Sequence, residues 1–95
     1  MTPFRLGRLM MTKGISDTIE NNPDFSAIIS SALYRHSNCD WGDMSAEDKA
    51  ANNDAIKSGE RILSSYKTGC ADHGKIWIIT EADRSVTTIL FPEEY

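Results

Sequence analysis

The chain has 95 residues, of which 40% are apolar and 25% charged, and its formal net charge at neutral pH is −4. A chain of this length builds one modest hydrophobic core, so we expect a single domain over residues 1–95. The acidic balance argues against a protein that mainly binds nucleic acid, and no apolar run is long enough to span a bilayer or to form a signal peptide, which predicts a cytoplasmic protein that does not bind membranes.

The N-terminal residues predict one strand and one short helix. Residues 4–11 alternate loosely between apolar and polar positions and predict a first strand, although Gly7 weakens it. Ile15 and Ile19 lie four residues apart, which favours one or two helical turns that end at Asn21-Asn22.

A second helix is predicted by a stronger start signal. Asn22 can cap it, and Pro23 fits the first helical position. Apolar residues then recur at spacings of three and four and form one stripe: Phe25, Ile28, Ile29, Ala32, Leu33 and His36. We expect this helix to cover one face of a sheet, with His36 as a cation in its last turn.

A third helix is predicted after a polar connection over residues 37–44. Ser45 followed by Asp48 resembles a capping box, and Gly59 would end the helix. Its apolar residues are mostly alanines, and Asn52 and Asn53 lower its helix propensity. We expect it to pack shallowly.

The C-terminal part predicts three strands in meander order. Residues 61–67 alternate, and residues 76–80 and 86–91 are rich in β-branched and aromatic residues around a polar break at 81–85. Asp83-Arg84 is not a favoured two-residue turn, and a three-residue loop fits about as well. Trp77 should form the wall of the core. These elements predict an α+β fold with an antiparallel sheet packed against two to three helices.

The two histidines and two cysteines form the most specific spacing in the chain. His36 and Cys39 form one H-x2-C pair, and Cys70 and His73 form a C-x2-H pair. Two short-spaced pairs of soft ligands suit a tetrahedral structural zinc site. The alternative, which we favour, makes His36 a helix-end residue at the core margin, Cys39 a small filler, and the other two loop residues. No cofactor is therefore favoured, and structural zinc stays an open hypothesis.

Charged residues cluster at the tip of the predicted hairpin. Glu81, Asp83 and Arg84 could serve acid–base chemistry or bind a charged group of a partner. Hairpin tips are usually polar because they face water, which is the simpler interpretation.

Trp41 lies between Asp40 and Asp43 in the connection before the third helix. A tryptophan between acids in a loop can anchor a partner protein. It can equally close the core where the helices change direction, and we slightly favour this second interpretation.

Motifs spread over nearly the whole chain resemble a family of small bacterial proteins of the "plasmid-related protein" type, carried on plasmids, conjugative elements and phages. The residues that carry the resemblance are Arg35-His36, Asp40-Trp41-Gly42-Asp43, Glu47-Asp48, Asn52, Arg61–Ser64 with Tyr66, Ile76–Ser85, Thr87-Thr88 and Phe91–Tyr95. This chain has Cys39 where the family commonly has glycine, and the Cys70/His73 pair is not part of the family pattern. The resemblance implies no specific activity; by analogy it implies an accessory factor of a mobile element.

We therefore predict a non-enzymatic binding protein that occupies a surface of another protein, for example a host-defence component. The binding residues would be Trp41, Asp43, Glu81, Asp83 and Arg84. The alternative is a small hydrolase or nuclease that uses His36, Glu81, Asp83 and Arg84, which requires the end of the second helix to meet the hairpin tip in a cleft. An exposed sheet edge could also pair two copies into a homodimer.

Overall fold

The computed structural model describes residues 3–71 and 73–95. It has an α+β fold, as predicted, with four strands and three α-helices in the described residues. In chain order the elements are β1 Arg8–Met11, α1 Lys13–Asn21, α2 Phe25–Ser37, α3 Ala46–Ser58, β2 Ile62–Lys67, β3 Lys75–Thr80, β4 Val86–Leu90 and a short 3₁₀ turn Pro92–Glu94.

The four strands form one sheet in the order β1-β4-β3-β2. The predicted meander is confirmed, because β2 pairs antiparallel with β3 and β3 with β4. The prediction of an antiparallel sheet is wrong for β1, which runs parallel to β4. The chain leaves β1 directly into α1, and the helices carry it across the sheet before it enters β2, as a parallel pairing requires.

Strand β1 is shorter than predicted because the chain bends at Gly7. Gly7 has a φ of +67°, and a Cβ at this position would clash with the carbonyl oxygen of Ser85. The strand therefore begins at Arg8, whose N–H donates to that same carbonyl over 2.9 Å. Phe4, predicted inside the strand, turns into the core instead.

Helix α2 carries the predicted stripe but not the predicted cap. Phe25, Ile29, Ala32 and His36 are buried, which confirms the stripe. The Asn22 side chain does not cap α2; the Asn22 N–H donates to the Thr18 carbonyl and ends α1. The cap prediction is wrong because the chain needs two further residues to turn between the helices.

The two faces of the sheet have different surroundings. The face toward the helices is buried: Tyr66, Ile76, Ile78 and Ile89 pack against α1 and α2, and Ile62 packs with Ala55 of α3 and Trp41. This face also buries the hydroxyl groups of Ser64, Thr80 and Thr87. Alternation along β3 directs Trp77 to the opposite face, where it is half-buried, so the prediction that Trp77 forms the core wall is wrong. We call this opposite side the open face; it also carries Met10, Leu63, Ile79 and Thr88, of which Ile79 is buried.

The hairpin loop between β3 and β4 is longer than either predicted alternative. The Glu81 N–H donates to the Val86 carbonyl over 3.0 Å, so Ala82–Ser85 form the loop. Within this loop Arg84 adopts a left-handed conformation with a φ of +60°, which L side chains rarely adopt.

Helix α3 has the predicted ends. The Ser45 hydroxyl accepts a hydrogen bond from the Asp48 N–H over 3.1 Å, and Gly59 ends the helix with a φ of +79°. Asn52, which lowers the helix propensity of α3, also attaches this helix to the sheet. Asn52 donates to the Leu63 carbonyl over 2.6 Å and accepts from the Leu63 N–H over 3.2 Å, so α3 satisfies the backbone of β2 at the sheet edge.

Candidate functional site

Most charged side chains of the hairpin tip bond to other groups of the protein. The Arg84 guanidinium donates to the carbonyls of Ala55, over 2.8 Å, and Glu60, over 2.6 Å, at the C-terminal end of α3. A cation is favoured at this end of a helix, so Arg84 joins the hairpin to α3.

The two predicted carboxylates of the tip lie in different surroundings. Asp83 accepts hydrogen bonds from the hydroxyl and the N–H of Ser85, which lower the pKa of its carboxyl. Glu81 lies at the border of the open face, 3.7 Å from the Arg61 guanidinium. Of the three predicted tip residues, Glu81 is the one that pairs with Arg61 at the open face.

Trp41 lies inside the molecule. Its side chain is only 3% exposed, and its indole N–H donates to the Asn53 side chain over 3.0 Å. The geometry therefore suits a residue that closes the core between α2 and α3. Asp43, two residues later, is exposed and lies 3.1 Å from the Lys75 ammonium, whose hydrogen bond lowers the pKa of the Asp43 carboxyl.

His36 is completely buried and belongs to a chain of hydroxyl groups. Its Nδ1 contacts the Ser64 hydroxyl, and its Nε2 lies 2.9 Å from the Thr80 hydroxyl. Thr80 is 2.8 Å from the Thr87 hydroxyl, and Thr87 donates to the Leu6 carbonyl over 2.7 Å.

The direction of these hydrogen bonds fixes the form of His36. A carbonyl only accepts, so Thr87 uses its single proton on Leu6 and must accept from Thr80. Thr80 in turn must accept from the imidazole, which places the proton of a neutral ring on Nε2. The bare Nδ1 then accepts from Ser64. Burial lowers the pKa of His36 to about 4, so the ring is neutral near pH 7.

This environment corrects the prediction that His36 is a cation at the core margin. The same environment argues against the hydrolase alternative, which requires His36 to meet the hairpin tip in a cleft. Both ring nitrogens are engaged, and Phe4 packs between His36 and Arg84, with its ring centroid 5.4 Å from the imidazole centroid and 5.8 Å from the guanidinium carbon. His36 and the hairpin tip do not share a cleft in this conformation.

The two histidine–cysteine pairs lie in different parts of the molecule. Cys39 packs beside Trp41, and burial raises the pKa of its thiol, whereas Cys70 packs against the cluster that contains Phe25. Within residues 3–71 and 73–95, no group of three or more His, Cys, Asp or Glu side chains is placed to hold a metal ion.

Cys70 and His73 line a shallow cleft of about 540 Å³ with Lys67, Lys75 and Glu93. The His73 ring stacks on Phe91 at 4.0 Å between centroids, and its Nδ1 lies 3.3 Å from a Glu93 oxygen. The stacking on Phe91 gives His73 a packing role at the rim. Asp72, which lies between the two cleft residues, is outside the described residues.

The open face carries a group of side chains that we call the aromatic–arginine cluster: Arg61, Trp77 and Tyr95. The Trp77 and Tyr95 rings meet edge to face at 5.8 Å, and the Arg61 guanidinium lies 5.2 Å from the Tyr95 ring centroid. Arg61 also donates to the Tyr95 hydroxyl over 2.7 Å. Tyr95 remains 68% exposed, so the cluster is ordered by its own contacts and still accessible.

A groove of about 260 Å³ runs beside this cluster, between Trp77 and the residues that precede α3. Asp43, Leu63 and Ser65 line it, and the Ser65 hydroxyl is buried without a hydrogen-bond partner among the described residues.

The sequence predicts Asp43 and Glu81 as binding residues, and both lie beside this face, but it does not predict the aromatic–arginine cluster. Trp77 was assigned to the core, and Arg61 and Tyr95 lie far apart in the chain, at the two ends of the C-terminal part. The alternation of Trp77 with Ile76 and Ile78 was the available signal, because the two isoleucines compete for the core face.

No known protein family, curated protein or solved structure matches the chain. Among the described residues, no helix is long and apolar enough to cross a membrane.

Proposed function

We propose that this chain is a non-enzymatic protein-binding protein that docks its open face on a partner protein. The observation that carries the proposal is the aromatic–arginine cluster of Arg61, Trp77 and Tyr95. This role agrees with the resemblance to accessory factors of mobile genetic elements, for which the partner would be a cytoplasmic component of host defence.

The chemistry of the cluster suits protein recognition. Tryptophan, tyrosine and arginine are the residues that most often dominate binding energy at protein interfaces. Here the three are held against one another before a partner arrives, which reduces the side-chain entropy lost on binding. Strand β3 fixes the position of Trp77, while Arg61 directly precedes β2 and Tyr95 follows the 3₁₀ turn.

Ion pairs border the cluster on two sides. Asp43 pairs with Lys75 and Glu81 pairs with Arg61, and all four side chains are between 40% and 49% exposed. Such rim charges contribute mainly to specificity and association rate. We therefore expect a partner surface with both signs of charge around an apolar centre.

The proposal is tested by affinity capture from a bacterial lysate with three forms of the protein. The wild type should retain a saturable partner; Tyr95→Ala combined with Arg61→Glu should lose it. Tyr34→Ser, which removes an exposed aromatic from α2, is the matched control and should retain the partner. Capture that is unchanged in the double variant, or absent in the wild type at several salt concentrations, would contradict the proposal.

A further inference from the structure

The two edge strands of the sheet differ in whether other residues cover their outward backbone groups. At the β2 edge, the Asn52 side chain pairs with the backbone of Leu63. The backbone N–H of Ser65 donates to the Trp41 carbonyl over 3.2 Å, and the Ser65 carbonyl accepts from the Asp43 N–H over 2.6 Å. This edge is covered. At the β1 edge, no described residue covers the strand, and all four of its residues are exposed.

The backbone of β1 shows which groups are left without a partner. Arg8 donates to Ser85 and Thr12 donates to Ile89, so by alternation the backbone groups of Arg8, Met10 and Thr12 point toward β4. The N–H and C=O groups of Leu9 and Met11 therefore point outward, and no described residue bonds to them.

The side chains at this edge are apolar. Leu9 is 49% exposed, and Met10 and Met11 are each 46% exposed. An apolar edge strand with unpaired backbone groups is a template for pairing with another strand.

We propose that the occupant of this edge is a second copy of the chain, paired antiparallel through β1 about a two-fold axis at Met10. In this register Leu9 faces Met11 of the second copy, and Met11 faces Leu9 of the second copy. Because these two residues carry the outward backbone groups, the pairing forms four N–H···O bonds. Met10 faces its own symmetry mate as the non-hydrogen-bonded pair on the axis.

Charge complementarity supports a second copy over an unrelated strand. In this register Arg8 faces Thr12 of the second copy, and their side chains lie on the same face of the sheet. The Thr12 hydroxyl is bonded to the Glu94 carboxylate, which also accepts from the Gly14 N–H over 3.0 Å. Arg8 forms no ion pair among the described residues, so pairing brings a free guanidinium to an exposed carboxylate.

The same geometry limits the assembly to two copies. Gly7 bends the chain at one end of β1 and α1 begins at the other, so the pairing cannot lengthen. The outer edges of the resulting eight-stranded sheet are the covered β2 edges. The interface is short, which predicts a reversible dimer and not an obligate one.

This inference concerns a different surface from the proposed function and does not depend on it. A two-fold axis of antiparallel edge pairing is perpendicular to the sheet, so the two open faces lie on the same side. The dimer would therefore present two aromatic–arginine clusters together, which would increase the avidity for a repetitive partner.

Sedimentation velocity over a concentration series to about 1 mM tests the dimer, a range suited to a small interface. Leu9→Pro removes an outward N–H that the folded monomer does not use and should weaken dimerisation about tenfold or more. Leu9→Val keeps that N–H and should dimerise like the wild type. A wild type that stays monomeric throughout, or a dimer unaffected by Leu9→Pro, would overturn the proposal.

Disulfide cross-linking tests the register, in a background with Cys39→Ser and Cys70→Ser. Met10→Cys should form a covalent dimer under mild oxidation because the two residues face each other on the axis. Leu9→Cys should cross-link far more slowly, since Leu9 faces Met11 of the second copy. Equal rates, or faster cross-linking of Leu9→Cys, would overturn the proposed register.

Discussion

Acidification is expected to destabilise the fold through His36. The ring is completely buried, and Ser64 and Thr80 hold it in its neutral form. Above the unfolded pKa of 6.5, the imidazole is neutral in both the folded and the unfolded chain. Between pH 6.5 and about 4, the unfolded chain binds a proton that the folded chain does not bind, so the free energy of unfolding falls as the pH falls.

The magnitude follows from the two pKa values. The free energy of unfolding should fall by about 1.4 kcal/mol for each unit of pH in this window. The full difference between 6.5 and about 4 corresponds to roughly 3 kcal/mol. This is a large share of the 5–15 kcal/mol that is typical of a small domain, roughly a fifth to three fifths.

Urea unfolding at several pH values between 7.5 and 4.5, followed by circular dichroism, measures this slope. His36→Gln removes the titrating group, so it should be less stable at pH 7 but lose much less stability on acidification. Tyr34→Ser, an exposed substitution on the same helix, is the matched control and should keep the wild-type slope. Equal slopes for the wild type and His36→Gln would refute the reasoning, as would an NMR titration of the His36 ring near pH 6.5.

Three further substitutions test how α3 and the Trp41 loop are attached, each by urea unfolding at pH 7. Gly42→Ala should cost about 3 kcal/mol or more, because Gly42 has a φ of +78° and a Cβ there would clash with the Ser65 carbonyl; near-wild-type stability would contradict this packing. Asn52→Ala should cost about 2–4 kcal/mol, since it leaves both backbone groups of Leu63 without their partner; a loss below about 1 kcal/mol would show that water replaces the amide without penalty. Ser45→Ala should cost about 1 kcal/mol through the lost cap, and Ser45→Asp should restore most of it; equal stability of the two variants would argue against a capping role.

Elements with strong local signals could be predicted from the sequence. The apolar stripe of α2 follows from spacing alone, and the ends of α3 follow from Ser45 and Gly59. The β3–β4 hairpin follows from two β-branched runs around a polar break. In each case the deciding interactions lie within a few residues of one another.

Features that depend on distant parts of the chain could not be predicted. The direction of β1 depends on the bend at Gly7 and on the Ser85 carbonyl that it approaches. The role of Asn52 depends on an edge strand that comes later in the chain. Helix propensity alone counts Asn52 as unfavourable, whereas the hydrogen bonds to Leu63 make it the residue that docks α3.

The residues of the candidate site also fall into two groups, those that the sequence indicates and those that only the folded chain brings together. Asp43 and Glu81 were identified because charges in loops are visible in the sequence, and both lie beside the open face. Arg61 and Tyr95 were missed because only the folded chain brings them together. His36 shows two signals in conflict: its position in the last turn of α2 suggested a cation, while its place in the apolar stripe indicated burial, and burial decides its charge.

The most direct test of the central claim uses the two tryptophans as internal reporters. Each indole N–H gives its own signal in an NMR spectrum of ¹⁵N-labelled protein, with Trp77 on the open face and Trp41 buried against Asn53. Addition of the captured partner should shift or broaden the Trp77 signal and leave the Trp41 signal in place. A shift of Trp41 with an unchanged Trp77 would contradict binding through the open face and would locate the partner at the Trp41 loop instead.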